Sequence, residues 1–242
     1  MRNVLCGLFC LSVLLFAPLP LIAQDLSQAD ALFDTGSIEN LKQSAELYVK
    51  ALEANPSSYE AAWKASRSYR EYANTAKQLN VDGWEAICKE YGKLGMNYGE
   101  RAIELNPDAI DGYFWYGCSV GNYSDGVSIL TALKEGLKNK TQESFEKSYE
   151  LDKMYVDGGP MKALGRFWFV LPWPLAKKDL ALDFLREFQQ SFPDDPEGQV
   201  FLAEVLIDKK EKEEARALLE KTAASDETYF ADWAKRLLAD LK

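Results

Sequence analysis

The sequence predicts an all-α protein, a helical-repeat solenoid of about five helix-turn-helix units with a C-terminal capping helix. Three observations lead there. First, the phrase AIELNP at 102–107 reads as the last turn of a helix, because proline cannot continue a helix and restricts the residue before it. Second, the phrase returns as ALEANP at 51–56, SYELDK at 148–153, FQQSFP at 188–193 and, by spacing alone, TAASDE at 222–227. The ends at 56, 107, 153, 193 and 227 lie 51, 46, 40 and 34 residues apart, and self-similarity at such intervals marks stacked supersecondary units. Third, apolar residues recur at helical spacing, as in Leu41, Ala45, Tyr48, Val49 and Leu52, and no stretch alternates as a strand would.

The elements follow in order. Repeat one runs from about Asp25 to Pro56, with a short first helix and a second from Ile38 to Asn55. Repeat two opens after Ser57-Ser58, a natural N-cap pair. Its second helix runs from about Trp84 to Leu105, and polar Asn74 to Gly83 is expected to be part helix, part loop. Repeat three starts at Asp108, and its first helix holds Tyr113, Phe114, Trp115 and Tyr116. Four consecutive aromatics on a 3.6-residue period cannot share one face, so some point into the stack and some out of it. Gly117 and Gly121 allow close helix approach. Val127 to Leu133 suggests an extra helix, and Leu137 to Leu151 the second of the pair. Gly158-Gly159-Pro160 opens repeat four, whose apolar helix Met161 to Leu171 closes at Pro172-Trp173-Pro174. The chain resumes as helix from about Lys178 to Phe192. Repeat five is the most regular, and Glu227 to Leu241 forms the polar cap that solenoids require.

Composition bounds the rest. The chain has 242 residues, 47% apolar, with 38 acidic and 28 basic side chains for a net charge of -10. That balance excludes nucleic acid as a partner, since phosphate binding rests on a surplus of Lys and Arg. Residues 1–23 read as a signal peptide: Arg2, an apolar run from Val4 to Phe16, Pro18 and Pro20, then Leu21-Ile22-Ala23 before the cut. Residues 24–242 are then one helical-repeat domain, exported to the periplasm, with an uncleaved anchor as the other reading. Cys6 and Cys10 lack the small residues of a lipid-attachment site. Cys88 and Cys118 are thirty residues apart and read either as one disulfide or, preferably, as two buried thiols.

Chemistry is scarce. The chain has no histidine, which removes the usual general base, the triad imidazole and most zinc sites. There is no metal spacing among the cysteines and no glycine-rich phosphate loop. Glu213-Glu214 sits in a charged run, which is ordinarily a solvated face. The expectation is a non-enzymatic protein without cofactor or metal. The aromatic helices are the better candidates, although Trp and Phe at helical spacing are usually core. The extra 17, 12 and 6 residues of repeats two to four fall between the two helices of each repeat, so they build up one rim of the stack. Trp173, held between two prolines, either sits on that rim as a contact residue or folds onto the neighbouring helix.

These residues resemble tetratricopeptide repeats: the 34-residue spacing, Tyr48, Ala51 and Pro56 in repeat one, Ser66 and Tyr69 in repeat two, Leu202, Ala203 and Ala215 in repeat five. Three stretches together, DGYFWYG (111–117), ALGRFWFVLPWP (163–174) and FLAEVLIDKKEKEEARALLEK (201–221), are similar to the T component of bacterial TRAP-associated tripartite transporters. That resemblance implies a periplasmic accessory of a solute transport system that partners a solute-binding protein, helps pass an apolar ligand and assembles as a homotrimer. The chain departs from lipid-anchored members in having no lipobox.

In tetratricopeptide proteins the first helix of each repeat lines the concave face. Carrying those positions over implies a groove of Trp63, Arg67 and Arg70, then Phe114, Cys118 and Gly121, then Pro160, Leu164 and Phe167, then Val200, Glu204 and Ile207, with Trp173 on the rim. Position two of each such helix is acidic (Glu60, Asp111, Asp157, Glu197), as carboxylates favour any first helical turn. An apolar groove with Arg67 and Arg70 would suit an apolar ligand with one acidic end, unless the arginines pair internally with Glu or Asp. The alternative function is a general cell-envelope protein–protein scaffold with no small-molecule role.

Overall fold

The computed structural model describes residues 26–241. The stretch 1–23 read as a signal peptide, with Cys6 and Cys10, lies outside them. The described chain consists of α1 (Ser27–Asp34), α2 (Ile38–Ala54), α3 (Tyr59–Gln78), α4 (Trp84–Leu105), α5 (Ile110–Val127), α6 (Ile129–Lys134), α7 (Leu137–Asp152), α8 (Tyr155–Val170), α9 (Lys178–Ser191), α10 (Pro196–Asp208), α11 (Lys212–Ala223) and α12 (Thr228–Asp240). No described residue lies in a strand. Helices pair as α1/α2, α3/α4, α5/α7, α8/α9 and α10/α11, each hairpin packs on the next, and α12 closes the row against α11 and α10. The five-unit solenoid with its cap is the architecture read from the phrase spacing.

The recurring phrases do what their chemistry requires. Asn55 and Asn106 leave the helical region as C-caps (φ -133° and -146°) immediately before Pro56 and Pro107. Ser58 caps α3 by accepting from the Ala61 N–H at 3.2 Å, and Asp195 caps α10 by accepting from the Gly198 N–H at 2.6 Å with Pro196 in the first turn. Each cap satisfies a donor that would otherwise be orphaned at the helix start.

The surplus length of the early repeats is distributed differently from the expectation. Asn74 to Gln78 are helical, and the connection from α3 to α4 is only residues 79–83. The extra residues of repeat two lengthen its helices to 20 and 22 residues. The first helices then shorten along the row to 18, 16 and 13 residues. In repeat three the insertion folds as α6, as the apolar stretch suggested. Lengthening helices keeps every added backbone group hydrogen-bonded, which a longer polar loop does not.

Close approach between α4 and α5 is made by glycine. Gly92, Gly95 and Gly99 share one face of α4, and a Cβ on them would sit 2.6 Å from Tyr123 N, 2.4 Å from Ser119 Oγ and 2.9 Å from Tyr116 Cα. Gly117 receives the Phe145 ring of α7 in the same way, at 2.4 Å from a would-be Cβ, whereas Gly121 meets nothing within 4 Å. Of the two glycines flagged for helix approach, the first serves that purpose and the second opens onto a hollow.

The start of α8 is bent. Val156, Asp157 and Gly158 are left-handed (φ 47°, 51° and 75°), so the regular helix begins at Gly159-Pro160, where proline is tolerated. A β-branched residue at positive φ is strained. The strain is held by packing on both sides: a Cβ on Gly158 would meet the Phe192 ring at 2.5 Å and one on Gly159 the Phe114 ring at 2.6 Å. Three first helices are also tied by Asp111, which accepts from the Tyr59 hydroxyl at 2.7 Å and the Tyr155 hydroxyl at 2.6 Å. Burial and Asp111 push both phenol pKa values well above the ordinary range. Three of the four acidic second positions thus serve ion pairs or phenol ties, the others being Glu60 with Lys64 (2.7 Å) and Glu197 with Lys162 (2.7 Å). Asp157 is exposed.

Candidate functional site: the concave cavity

The first helices α3, α5, α8 and α10 enclose a half-open cavity of about 390 Å³. Its wall is mainly apolar: Phe114 and Val120 from α5, Phe145 from α7, Phe167 and Val170 from α8, Phe201 from α10. Tyr229, Phe230 and Trp233 of α12 close the C-terminal end, while Ile129, Ala132 and Leu133 of α6 form a rim. The hollow opens where Gly121 of α5 carries no side chain and Ala163 of α8 a small one, while Gly117 and Gly159 beside it seat the Phe145 and Phe114 rings. The added length of repeats two and three contributes directly, through Asn74, Lys77 and Gln78 at the end of α3 and through α6. The rim expected from the insertions is therefore present, built from helix ends.

Most charged groups of the wall occur in pairs; Lys138 instead donates to the Gln142 side-chain oxygen at 2.9 Å. The Arg70 Nη1 donates to Glu71 at 2.7 Å, and Lys77 pairs with Asp125 at 2.7 Å. Lys162 lies 2.7 Å from Glu197, and Arg166 pairs with Glu204. Burial works against each charge, but the partner prevails at three of them. Arg70 and Lys162 have pKa values raised despite burial, by Glu71 and by Glu197 with Asp195 respectively, and Glu197 is lowered mainly by Lys162. Glu204 goes the other way, its burial outweighing Arg166. The Arg166 guanidinium also stacks 4.6 Å from the Phe201 ring centroid and 5.2 Å from that of Trp233, which fixes the far wall. One donor stands apart: Arg70 Nε is buried without a hydrogen-bond partner.

Of the sequence-predicted groove residues, Arg70, Phe114, Cys118, Gly121 and Phe167 line the cavity. Glu204 reaches it only by holding Arg166. Trp63 and Arg67 do not: the Arg67 guanidinium lies 3.7 Å from the Phe33 ring centroid and 5.0 Å from that of Trp63, so α1 covers this end of the groove. Leu164 and Val200 are core, 1% and 0% exposed, and Ile207 packs against that core. Trp173 neither folds onto a helix nor faces the cavity; it is 90% exposed. The register carried over from the repeat pattern slipped in the last two repeats. The face turned to the cavity is Gly159, Lys162, Ala163 and Arg166 in α8, and Glu197 and Phe201 in α10. The signal that marks them is charge: Lys162 and Arg166 stand four apart in an otherwise apolar helix, a pair that must be partnered if buried.

Cys88 and Cys118 are both free. Cys88 is buried in the packing of α4, its Sγ 3.5 Å from Ala73 O, whereas Cys118 faces the cavity. Burial pushes the Cys118 thiol up to about 12, against a pull from Arg70. Thiolate is the nucleophile, so each unit of upward shift lowers reactivity about tenfold. At pH 8 Cys118 should react with iodoacetamide about a thousandfold slower than an ordinary cysteine of pKa about 9, read by mass spectrometry of the modified peptide. Alkylation at the ordinary rate would contradict the assigned environment. Among the described residues, no group of three or more Cys, Asp or Glu side chains is placed to hold a metal ion, and no helix is long and apolar enough to cross a membrane.

Stacked helical hairpins whose first helices line a concave cavity define a tetratricopeptide-like helical-repeat protein. The chain belongs to the family described as regulator of microtubule dynamics protein 1-3 (RMD1-3), whose profile matches residues 25–171, more than half of its length. Among solved structures it is similar to TTC0263, a thermophilic TPR protein of Thermus thermophilus, at 18% identity over 88% of this chain and 97% of that one, with a TM-score of 0.60. It is also similar to PilF of Pseudomonas aeruginosa, at 15% identity over 89% of each chain and a TM-score of 0.56. A MamA structure aligns at 14% identity over 88% of this chain and 99% of that one, with a TM-score of 0.51. No curated protein sequence gives a significant match. These likenesses carry the tetratricopeptide fold; nothing in them concerns tripartite transport.

Proposed function

We propose that this protein is a non-enzymatic interaction scaffold whose concave cavity receives apolar side chains from a segment of a partner protein. The observation that supports it is the cavity itself: about 390 Å³, half open, apolar in most of its wall, with most of its charges already paired within the wall. Paired charges position and repel; Arg70, Lys162 and Glu197 are held in their charged forms by their partners, which makes them poor proton donors and acceptors near neutral pH. The aromatic wall suits a partner's apolar anchors, the usual source of binding energy at such surfaces. The family description, regulation of microtubule dynamics, fits a protein that acts by binding another.

The second reading is an apolar ligand with one acidic end. It is favoured by the unpartnered Arg70 Nε at the wall, which could donate to a carboxylate, and by the gain of roughly 0.8 kcal/mol for each buried methylene. A role as the T component of a TRAP-type transporter, with a periplasmic solute-binding protein as partner and a homotrimeric assembly, is the narrower form of that reading, as is export by the 1–23 segment. The general scaffold accounts for the same geometry with fewer assumptions.

Native mass spectrometry of the full chain purified from its own source separates the two. A stoichiometric protein adduct supports the scaffold. An apolar small molecule retained in the desolvated ion supports the second reading. A bare chain with no added affinity for either would overturn both.

A further inference from the structure

Four large apolar side chains project from the connections that join the first helix of a hairpin to its second. Trp173 is 90% exposed, Leu79 64%, Leu130 60% and Leu175 37%. In a row of antiparallel hairpins these connections share one edge. Ion pairs bridge neighbours along it: Lys77 with Asp125 at 2.7 Å, and Lys178 with Asp208 and Lys209 with Asp179 at 2.5 Å each. Two stretches at this edge also share a composition. Residues 127–134 (VSILTALK) and 167–178 (FWFVLPWPLAKK) contain no carboxylate and carry Lys134, Lys177 and Lys178, in a chain of net charge -10. The acids that follow are engaged: Glu135 turns back to accept from the Tyr123 hydroxyl at 2.9 Å and Asp179 pairs with Lys209, while Lys178 is taken up by Asp208, which leaves Lys134 and Lys177 outside these pairs. Both belong to one apolar core: Leu133 packs against the cluster that contains Phe167, Trp168 and Leu171.

We propose that this edge docks on the surface of an anionic lipid bilayer, with Trp173 and Leu130 inserted at the headgroup level and Lys134 and Lys177 facing the lipid phosphates. Three features favour a bilayer over a protein. The apolar tips stand on separate connections, so a continuous apolar medium buries all of them without a matching pocket for each. Tryptophan flanked by leucine and lysine is the side-chain set that partitions to a membrane interface. And Lys134 and Lys177 each stand four residues from a tip, Leu130 and Trp173, where attraction to anionic headgroups acts within a Debye length. The edge is distinct from the cavity, so the inference stands apart from the partner-binding function.

Brominated lipids, which quench tryptophan emission on contact, test it on the full chain. Vesicles of brominated phosphatidylcholine with roughly one-third phosphatidylglycerol are used, so that anionic charge is present. Emission should be quenched in the parent, and that component should vanish in Trp173→Phe. Leu130→Ser combined with Trp173→Ala should lower partitioning about tenfold relative to the parent. All variants keep the same N-terminal segment, so any binding through it cancels. Both residues are exposed, and circular dichroism unchanged from the parent confirms the fold. Unquenched emission, equal quenching in Trp173→Phe, or equal quenching with pure phosphatidylcholine vesicles would overturn the proposal, the first of these leaving the edge to a protein partner.

Discussion

Gly92→Val should destabilise the protein by about 3 kcal/mol, the upper end of what overpacking a tight contact costs. The reason is what the new atoms would meet. A Cβ at position 92 lies 2.6 Å from Tyr123 N and 2.9 Å from Tyr123 Cα. These are backbone atoms in α5, and no rotamer change moves them aside; the two helices must part. The contrast is Gly117→Ala, where the obstacle at 2.4 Å is the Phe145 ring, the end of a side chain that can turn, so a smaller loss is expected. The α4–α5 contact joins the first two hairpins to the rest of the row, and repeat proteins depend on such nearest-neighbour interfaces. Urea denaturation should show a lower midpoint for Gly92→Val, with an altered slope if the row uncouples into separately melting parts. A midpoint equal to that of the parent would mean that the glycine stripe is not what sets the helix spacing.

Gly121→Trp should abolish occupancy of the cavity, lowering affinity for its occupant at least about a hundredfold, without harming the fold. Position 121 is in the interior of α5, lines the cavity and has no atom within 4 Å of a would-be Cβ. Replacing glycine inside a helix removes an entropic cost of up to about 1 kcal/mol, so the thermal midpoint should stay level or rise. Loss of binding together with retained stability is hard to obtain from a residue acting through structure alone. The readout is the adduct seen by native mass spectrometry for the parent, titrated against parent and variant. Undiminished binding would remove the cavity from the account.

Much of the fold was legible because its signals are local. Asn-Pro stops, Ser caps and Gly158-Gly159-Pro160 act on the residues beside them, and each reappears as a helix boundary. The pairing of hairpins followed from spacing. The cavity was less legible because a groove is set by helix rotation, and a phase error of one or two residues exchanges wall for core. Just before repeat four the phrase SYELDK has lost its proline, and three left-handed residues, Val156 to Gly158, reset the helix phase. That placed Leu164 in the expected groove, where Lys162 and Arg166 actually stand. At the N-terminal end the carried-over pattern could not show that Phe33 of α1 would cover Arg67. The closing helix α12 was read only as a polar cap, yet its other face supplies Tyr229, Phe230 and Trp233 to the cavity. Amphipathic spacing announces that a helix has an apolar face; it does not say which neighbour that face meets.

The most direct test of the central claim, that the concave side of the row is where the occupant binds, is site-specific photocrosslinking in the native source. A benzophenone side chain at position 121 faces the cavity, and one at Glu143 sits exposed on the second helix of its hairpin, away from the lining. A discrete adduct from position 121 and none from position 143 is the result expected. Adducts from position 143 with none from position 121 would place the working surface on the outside of the solenoid and contradict it.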